Sequence, residues 1–114
     1  MRLLRPPDYR KVYAEGRRRN LDVLVAFARP NGMERSRIGI TAPRTFGGAV
    51  ERNRMKRCVR EAARKHLSEL GAGWDIVFNG RPAARAASAA AIEETIRRFF
   101  LSCGRPSGRE AAER

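Results

Sequence analysis

A chain of 114 residues has the size of one domain with one core, and 42% hydrophobic residues are enough to build it. With 25 Lys plus Arg against 12 Asp plus Glu, the net charge is +13 and the pI about 11.5, a balance that repels basic partners and draws polyanions. No run approaches the ~18 apolar residues of a membrane span, and the opening MRLLRPPDYR lacks the apolar stretch of a secretory signal.

Pro6-Pro7-Asp8 predicts a helix entrance, because proline is tolerated in a first turn and Asp complements the N-terminal dipole. Tyr9, Val12 and Tyr13 follow at helical spacing, and Gly16 is a stop. In RRRNLDVLVAFARP, residues 17–30, Leu21, Val23, Val25 and Phe27 alternate with Asp22, Leu24, Ala26 and Ala28. This pattern predicts a strand with one strongly apolar face, and residues 17–20 leave room for an extra short strand. Pro30-Asn31-Gly32 reads as a turn, with RIGITA (37–42) returning as the second strand of a hairpin.

Thr45-Phe46-Gly47-Gly48 is a loop before a long helix spanning about residues 49–70, which Gly71-Ala72-Gly73 ends. WDIVF (74–78) is a short buried strand, broken by Asn79-Gly80-Arg81-Pro82. An alanine-rich run, 83–91, leads into a last helix with Ile92, Ile96, Phe99 and Phe100 on one face. Residues 102–114 have the composition of a disordered tail. The expected order is α-β-(β)-β-α-β-α over residues 1–101: one α/β domain, a two-layer sandwich of helices against a small sheet.

The long helix has two unlike sides. At about 100° per residue, Met55, Cys58, Val59, Ala62, Ala63, Leu67 and Leu70 gather on one side, with His66 among them. Asn53, Arg57, Arg60 and Arg64 fall within a sector of roughly 60° on the other. Lys56 sits at its edge, Arg54 and Lys65 flank it, and only Glu61 interrupts the basic surface. Like charges four residues apart, Lys56 with Arg60 and Arg60 with Arg64, repel by a few tenths of a kcal/mol per pair. A solvated face is the ordinary reading of such a run. The scarcity of Glu partners and the chain-wide excess of charge favour a polyanion along the stripe instead.

Of the 25 basic residues, 22 are arginine, which offers a planar fork to phosphate and a flat face to bases; genome composition can produce the same bias. Asn53 between Arg52 and Arg54 adds an amide that both donates and accepts, suited to an irregular RNA backbone. The Gly47-Gly48 turn offers backbone N–H groups at a helix start, a second place for phosphate that turn geometry explains equally well. A self-sufficient nuclease needs clustered carboxylates or a His pair. Asp8, Asp22 and Asp75 are scattered, Glu93 and Glu94 point apart, and the single histidine lies on the apolar side, so no catalytic residue and no metal ligand is assigned. Cys58 and Cys103 read as idle thiols in a reducing cytoplasm, not a disulfide framework.

The run GGAVERNRMKRCVRE, preceded by RIGITAPR, resembles the signature of the bacterial ribonuclease P protein subunit. Arg37, Gly39, Arg44, Gly47, Ala49, Val50, Arg52, Asn53, Arg54, Lys56, Arg57, Arg60 and Glu61 stand at its spacing. DYRKVYAEG near the start, DIV before the Arg-Pro-Ala segment and the final Ile/Phe helix also fit, extending the likeness over about residues 3–101. The resemblance implies an RNA-dependent endonuclease that removes 5′ leaders from precursor tRNA, in which the RNA subunit holds magnesium ions and performs hydrolysis. It also implies a left-handed β-α-β crossover, against the general right-handed rule.

Carried over by matching position, Arg52, Asn53, Arg54, Lys56, Arg57 and Arg60, with Arg64 extending the stripe, would bind the RNA subunit. Tyr9, Tyr13, Arg44 and Arg81 would bind the leader in a cleft between the first helix and the sheet. The two tyrosines could instead simply pack that helix. A monomeric protein in a 1:1 ribonucleoprotein is expected. The chain departs from the family at Tyr9, where Phe is usual, at Pro43 and Thr45, where Ser or Lys is usual, and at Ala26, where many members carry a larger residue. A non-enzymatic RNA-binding module, of ribosomal or RNA-chaperone type, is the alternative that charge and fold alone would permit.

Overall fold

The computed structural model describes residues 2–103, and the remainder of the expected tail, 104–114, lies outside the described residues. In chain order the elements are β1 (Arg2–Leu3), α1 (Pro6–Glu15), β2 (Arg17–Asn20), β3 (Leu24–Pro30), β4 (Arg37–Thr41), a 3-10 turn (Arg44–Phe46), α2 (Ala49–Lys65), α3 (Leu67–Leu70), β5 (Trp74–Gly80), a second 3-10 turn (Pro82–Arg85) and α4 (Ala89–Cys103). The five strands form one mixed sheet in the order β1-β4-β5-β3-β2. Residues 102 and 103, expected in the tail, are the last of α4, where Cys103 is buried.

The hairpin expected between 21–28 and 37–42 does not form. β5 inserts between those strands, antiparallel to β3 and parallel to β4. The sequence of β5 explains its central place: Trp74, Ile76, Val77 and Phe78 are apolar on both faces, and all are buried. The residues after β3 also turn towards β5 and not into a tight hairpin. Asn31 Nδ2 donates to Arg35 O (3.1 Å) and to Asp75 Oδ1 (2.8 Å), and Trp74 N donates to Ser36 Oγ (3.1 Å). The true hairpin partner of β3 is β2, the extra short strand, through a turn in which Asp22 adopts a positive φ of 71° and donates its N–H to Asn20 Oδ1.

Side chains alternate across the sheet, so each face has its own cover. On one face Leu24, Ala26, Ile38, Ile76 and Phe78 join Met55 and Val59 of α2 and Ile92, Ile96, Phe99 and Phe100 of α4 in the main core. The other face is covered by α1, where Val12 and Val77 are fully buried beside Tyr9 and Phe27. The strand face expected to be strongly apolar is thus divided: Phe27 packs beneath α1 and Val25 shares its face, whereas Leu21 and Val23 pack against the main core, which Leu24, Ala26 and Ala28 of the alternate set help to build. Ala26 is fully buried opposite Phe78 and lines no cleft, so its departure from the family bears on packing.

The helix expected over 49–70 is two helices. His66, at φ −107° and ψ 16°, interrupts it. Leu70 is buried beyond the break, and the imidazole bridges Glu69 (3.3 Å) and Glu93 (2.7 Å), joining the break to α4.

Candidate nucleic-acid interface

α2 holds its basic face outward because its other face is anchored. Met55, Val59 and Ala63 are fully buried and Ala62 nearly so, and burying a side chain such as Met or Val fully is worth about 1.5–3 kcal/mol. This outweighs the few tenths of a kcal/mol of repulsion within the stripe. Asn53, Arg57, Arg60 and Arg64 are exposed; Lys56 is half-buried at the margin, and Arg52, also half-buried, lies about 80° beyond Arg60 towards Val59 and Ala63. Arg57 and Arg60 meet no carboxylate among the described residues. Arg64 pairs with Glu61, a pair left mostly in solvent, with side chains 68% and 62% exposed. Lys65 reaches Glu93 at 3.2 Å.

Arg54 faces elsewhere. Its guanidinium donates to Ala87 O (3.1 Å), which fastens the segment leading into α4. Glu51 lies one turn before it and fills the start of α2 from within: Gly48 N donates to Glu51 Oε1 (2.9 Å), and Arg85 donates to Glu51 Oε2 (2.8 Å). The Gly48 N–H and then Arg85 hold the Glu51 carboxyl below its ordinary value. The N–H that the sequence offered to phosphate is therefore occupied by the protein's own carboxylate.

The second region lies where α1 crosses the sheet from β4 to β3. Tyr9 rests on Gly39, where an added Cβ would come within 2.6 Å of its ring, and its hydroxyl accepts from Ile40 N (3.1 Å). Tyr9 is a packing residue that uses its polar tip. Tyr13 is 41% exposed, meets Phe27 edge-on at 4.9 Å and donates its O–H to Asn79 Oδ1 (2.9 Å). Thr41 Oγ1 donates to the same oxygen (2.5 Å). Register places Thr41, Asn79, Val25 and Asn20 in one row across β4, β5, β3 and β2. Arg81 closes the far end of the row, with Nη1 donating to Asn20 Oδ1 (2.6 Å).

Arg44 is exposed in the turn after β4, and Arg81 follows β5, so the parallel strands deliver both arginines from their C-terminal ends. No contact joins Arg44 to Tyr13 or Arg81. Pro43 and Thr45 are exposed beside Arg44. Sequence reading missed Asn79, Thr41, Asn20 and Phe27. Period-two alternation marks Asn79 and Thr41 as sharing a face with Val77 and Gly39, but only the register of β4 and β5 shows that they meet.

At the end of the sheet away from Asn79, Asp75 is fully buried under α1. Arg37 binds it through Nε (2.9 Å) and Nη2 (2.7 Å), and Arg29 approaches at 3.6 Å. The same two arginines reach Asp8 (3.3 Å) and Glu15 (3.2 Å), one near each end of α1. The hydrogen bond to Asp75 is the chief cause that raises the Arg37 pKa above its ordinary value. This network fixes how α1 sits over the sheet.

A mixed sheet covered on both faces, with an arginine face on its crossover helix and a polar row that Tyr13 joins beside α1, defines a small α/β RNA-binding protein. The comparisons give the family. The Ribonuclease P family model matches residues 1–104, and the chain belongs to that family. A ribonuclease P protein component from Roseiflexus sp. (strain RS-1) is 44% identical over 85 residues, 75% of this chain and 70% of the relative. One from Dehalococcoides mccartyi (strain ATCC BAA-2266 / KCTC 15142 / 195) is 41% identical over 99 residues, 87% of this chain and 81% of the relative. Among solved structures, the RNase P protein from Thermotoga maritima superposes with a TM-score of 0.81 at 30% identity, covering 90% of this chain and 97% of that one. The Staphylococcus aureus RNase P protein gives 0.79 at 25% identity, covering 90% and 94%. Membership makes this chain a subunit of an endoribonuclease that processes tRNA, associated with the RNA of that ribonucleoprotein. Nothing in the comparisons favours a ribosomal or chaperone-type module.

Proposed function

We propose that the exposed α2 face, Asn53, Arg57, Arg60 and Arg64 with Lys56 at its margin, binds the RNA subunit, joined by Arg52 in the first turn of the helix. The row beside α1 then receives the 5′ leader of precursor tRNA. One observation carries the first assignment. Asn53, Arg57, Arg60 and Arg64 stand exposed together on one helix face whose opposite side is anchored in the core, and Arg57 and Arg60 meet no carboxylate among the described residues. Arg54 serves the interface by fixing the segment around Ala87.

Tyr13 supports the second assignment, since an exposed ring edge-packed on Phe27 leaves a surface on which a base of any identity can stack. Asn79 spends its oxygen on Tyr13 and Thr41 and keeps its amide N–H donors for the leader. Arg44 and Arg81 supply charge at the strand ends, while Tyr9 acts by packing. Guanidinium and ammonium groups offer no oxygen ligand and repel a divalent cation, so we assign magnesium and hydrolysis to the RNA. One protein per RNA, working in the cytoplasm, completes the proposal.

The test is cleavage of precursor tRNA by a bacterial ribonuclease P RNA at low magnesium, with and without the protein. The protein is expected to raise cleavage, and no gain over RNA alone overturns the proposal. In the same assay Tyr13→Ala should weaken affinity for leader-bearing tRNA roughly tenfold, the value of one stacked base, and leave mature tRNA unaffected. Equal losses on both substrates would remove Tyr13 from the leader site.

A further inference from the structure

Val50 is 83% exposed, on the first turn of α2. Among the described residues the other large apolar side chains with substantial exposure are Tyr13, Met33 and Leu101, none of them on α2. Met55 and Val59, later in the same helix, are fully buried, so Val50 belongs to the opposite side. At about 100° per residue it lies some 20° from Arg57, 40° from Arg64 and 60° from Asn53. Glu61 lies about 20° to its other side, so Val50 sits at the N-terminal edge of the basic stripe. A β-branched residue is a poor helix former, and at this exposure it gains nothing from packing in the free chain.

We propose that Val50 makes an apolar contact with the RNA subunit, against the flat face of a ribose or an unpaired base. The inference rests on the assignment of the α2 face to that RNA and specifies what the face recognises. Arg57 and Asn53 select a partner by charge complementarity and amide bonding, and that partner must set an apolar surface immediately beside its phosphates. Folded RNA does this wherever a nucleotide is splayed from its stack, whereas a regular duplex keeps its base faces stacked and offers phosphates, 2′-hydroxyls and base edges. The stripe therefore joins a salt-sensitive part, Arg57 to Arg64, to a salt-insensitive one at Val50.

The experiment measures affinity of the full chain for a bacterial ribonuclease P RNA over a series of salt concentrations. Val50→Thr keeps the shape and exchanges a methyl for a hydroxyl; Val50→Ile keeps the apolar surface; Arg57→Ala is the charge control. Thermal melting of each free variant verifies folding, which an exposed site should leave unchanged. Val50→Thr should bind about fivefold more weakly at every salt concentration, with the slope of log K against log salt unaltered, while Val50→Ile binds like the parent. Parental affinity for Val50→Thr, or a changed slope, overturns the inference while Arg57→Ala still tests the α2 assignment. If Arg57→Ala also leaves affinity and slope unchanged, that assignment itself falls and Val50 faces some other partner.

Discussion

Asp75 shows how a single residue can be misjudged from sequence. It reads as one of several scattered carboxylates, yet it is fully buried and receives Arg37 from β4 and both Arg29 and Asn31 from around the end of β3. Such a group is stable only while its partners remain. Removing one partner of a buried pair exposes the other to the whole desolvation cost, typically about 3–5 kcal/mol. Asp75→Ala should lower unfolding free energy by up to about that amount in denaturant titrations, because Arg37 and Arg29 lose their shared buried partner and keep only Asp8 and Glu15. A loss below about 1 kcal/mol would mean that the site takes up water freely. Gly39 gives the same lesson in reverse: its spacing in the motif was legible, and its physical task, making room for the Tyr9 ring, was not.

Helices were more legible than strand pairings because a 3.6-residue period is written in consecutive residues. α1, α4 and the two-sided character of α2 follow directly from sequence. The break at His66 does not, because it depends on Glu93, which is 27 residues away. Its bond to Glu93 chiefly raises the His66 pKa, against burial and with help from Glu69, and the same bond chiefly lowers that of Glu93. A raised histidine stabilises fully below its unfolded value near 6.5 and loses that contribution as pH climbs through the folded value. A lowered glutamate contributes above its unfolded value near 4.5 and loses this as pH falls through the folded one. The tie between the α2–α3 junction and α4 is therefore strongest between about pH 4.5 and 6.5. Raising pH from 6 to 9 should lower the melting temperature of the parent more than that of His66→Gln. Parallel curves for the two would show that the bridge does not stabilise the fold.

At the scale of the molecule, net charge pointed to the partner and the motif to the family, but the sheet order needed the structure. Turn residues after β3 suggest a local return, and only the doubly apolar character of β5 argues for a strand between β3 and β4. The candidate RNA face was legible for the same reason as the helices, apart from Arg54, whose bond to Ala87 spans 33 residues. Because the stripe is exposed, its energetics should follow ion release. Arg57→Ala and Arg60→Ala should each reduce the slope of log K against log salt by about 0.7–1 in RNA titrations. Unchanged slopes in both would exclude direct phosphate contacts.

The late position of β5 in the chain has a consequence for biosynthesis. β4 shares no ladder with β3, and the strand that unites them begins only at Trp74. While the ribosome is still making α2, the nascent chain holds two unjoined sheet fragments and a helix whose oily side has no floor. Folding must wait for the keystone strand, and pairings this distant close slowly. Until β5 pairs, any α2 that has formed carries its arginines on a helix not yet held in place.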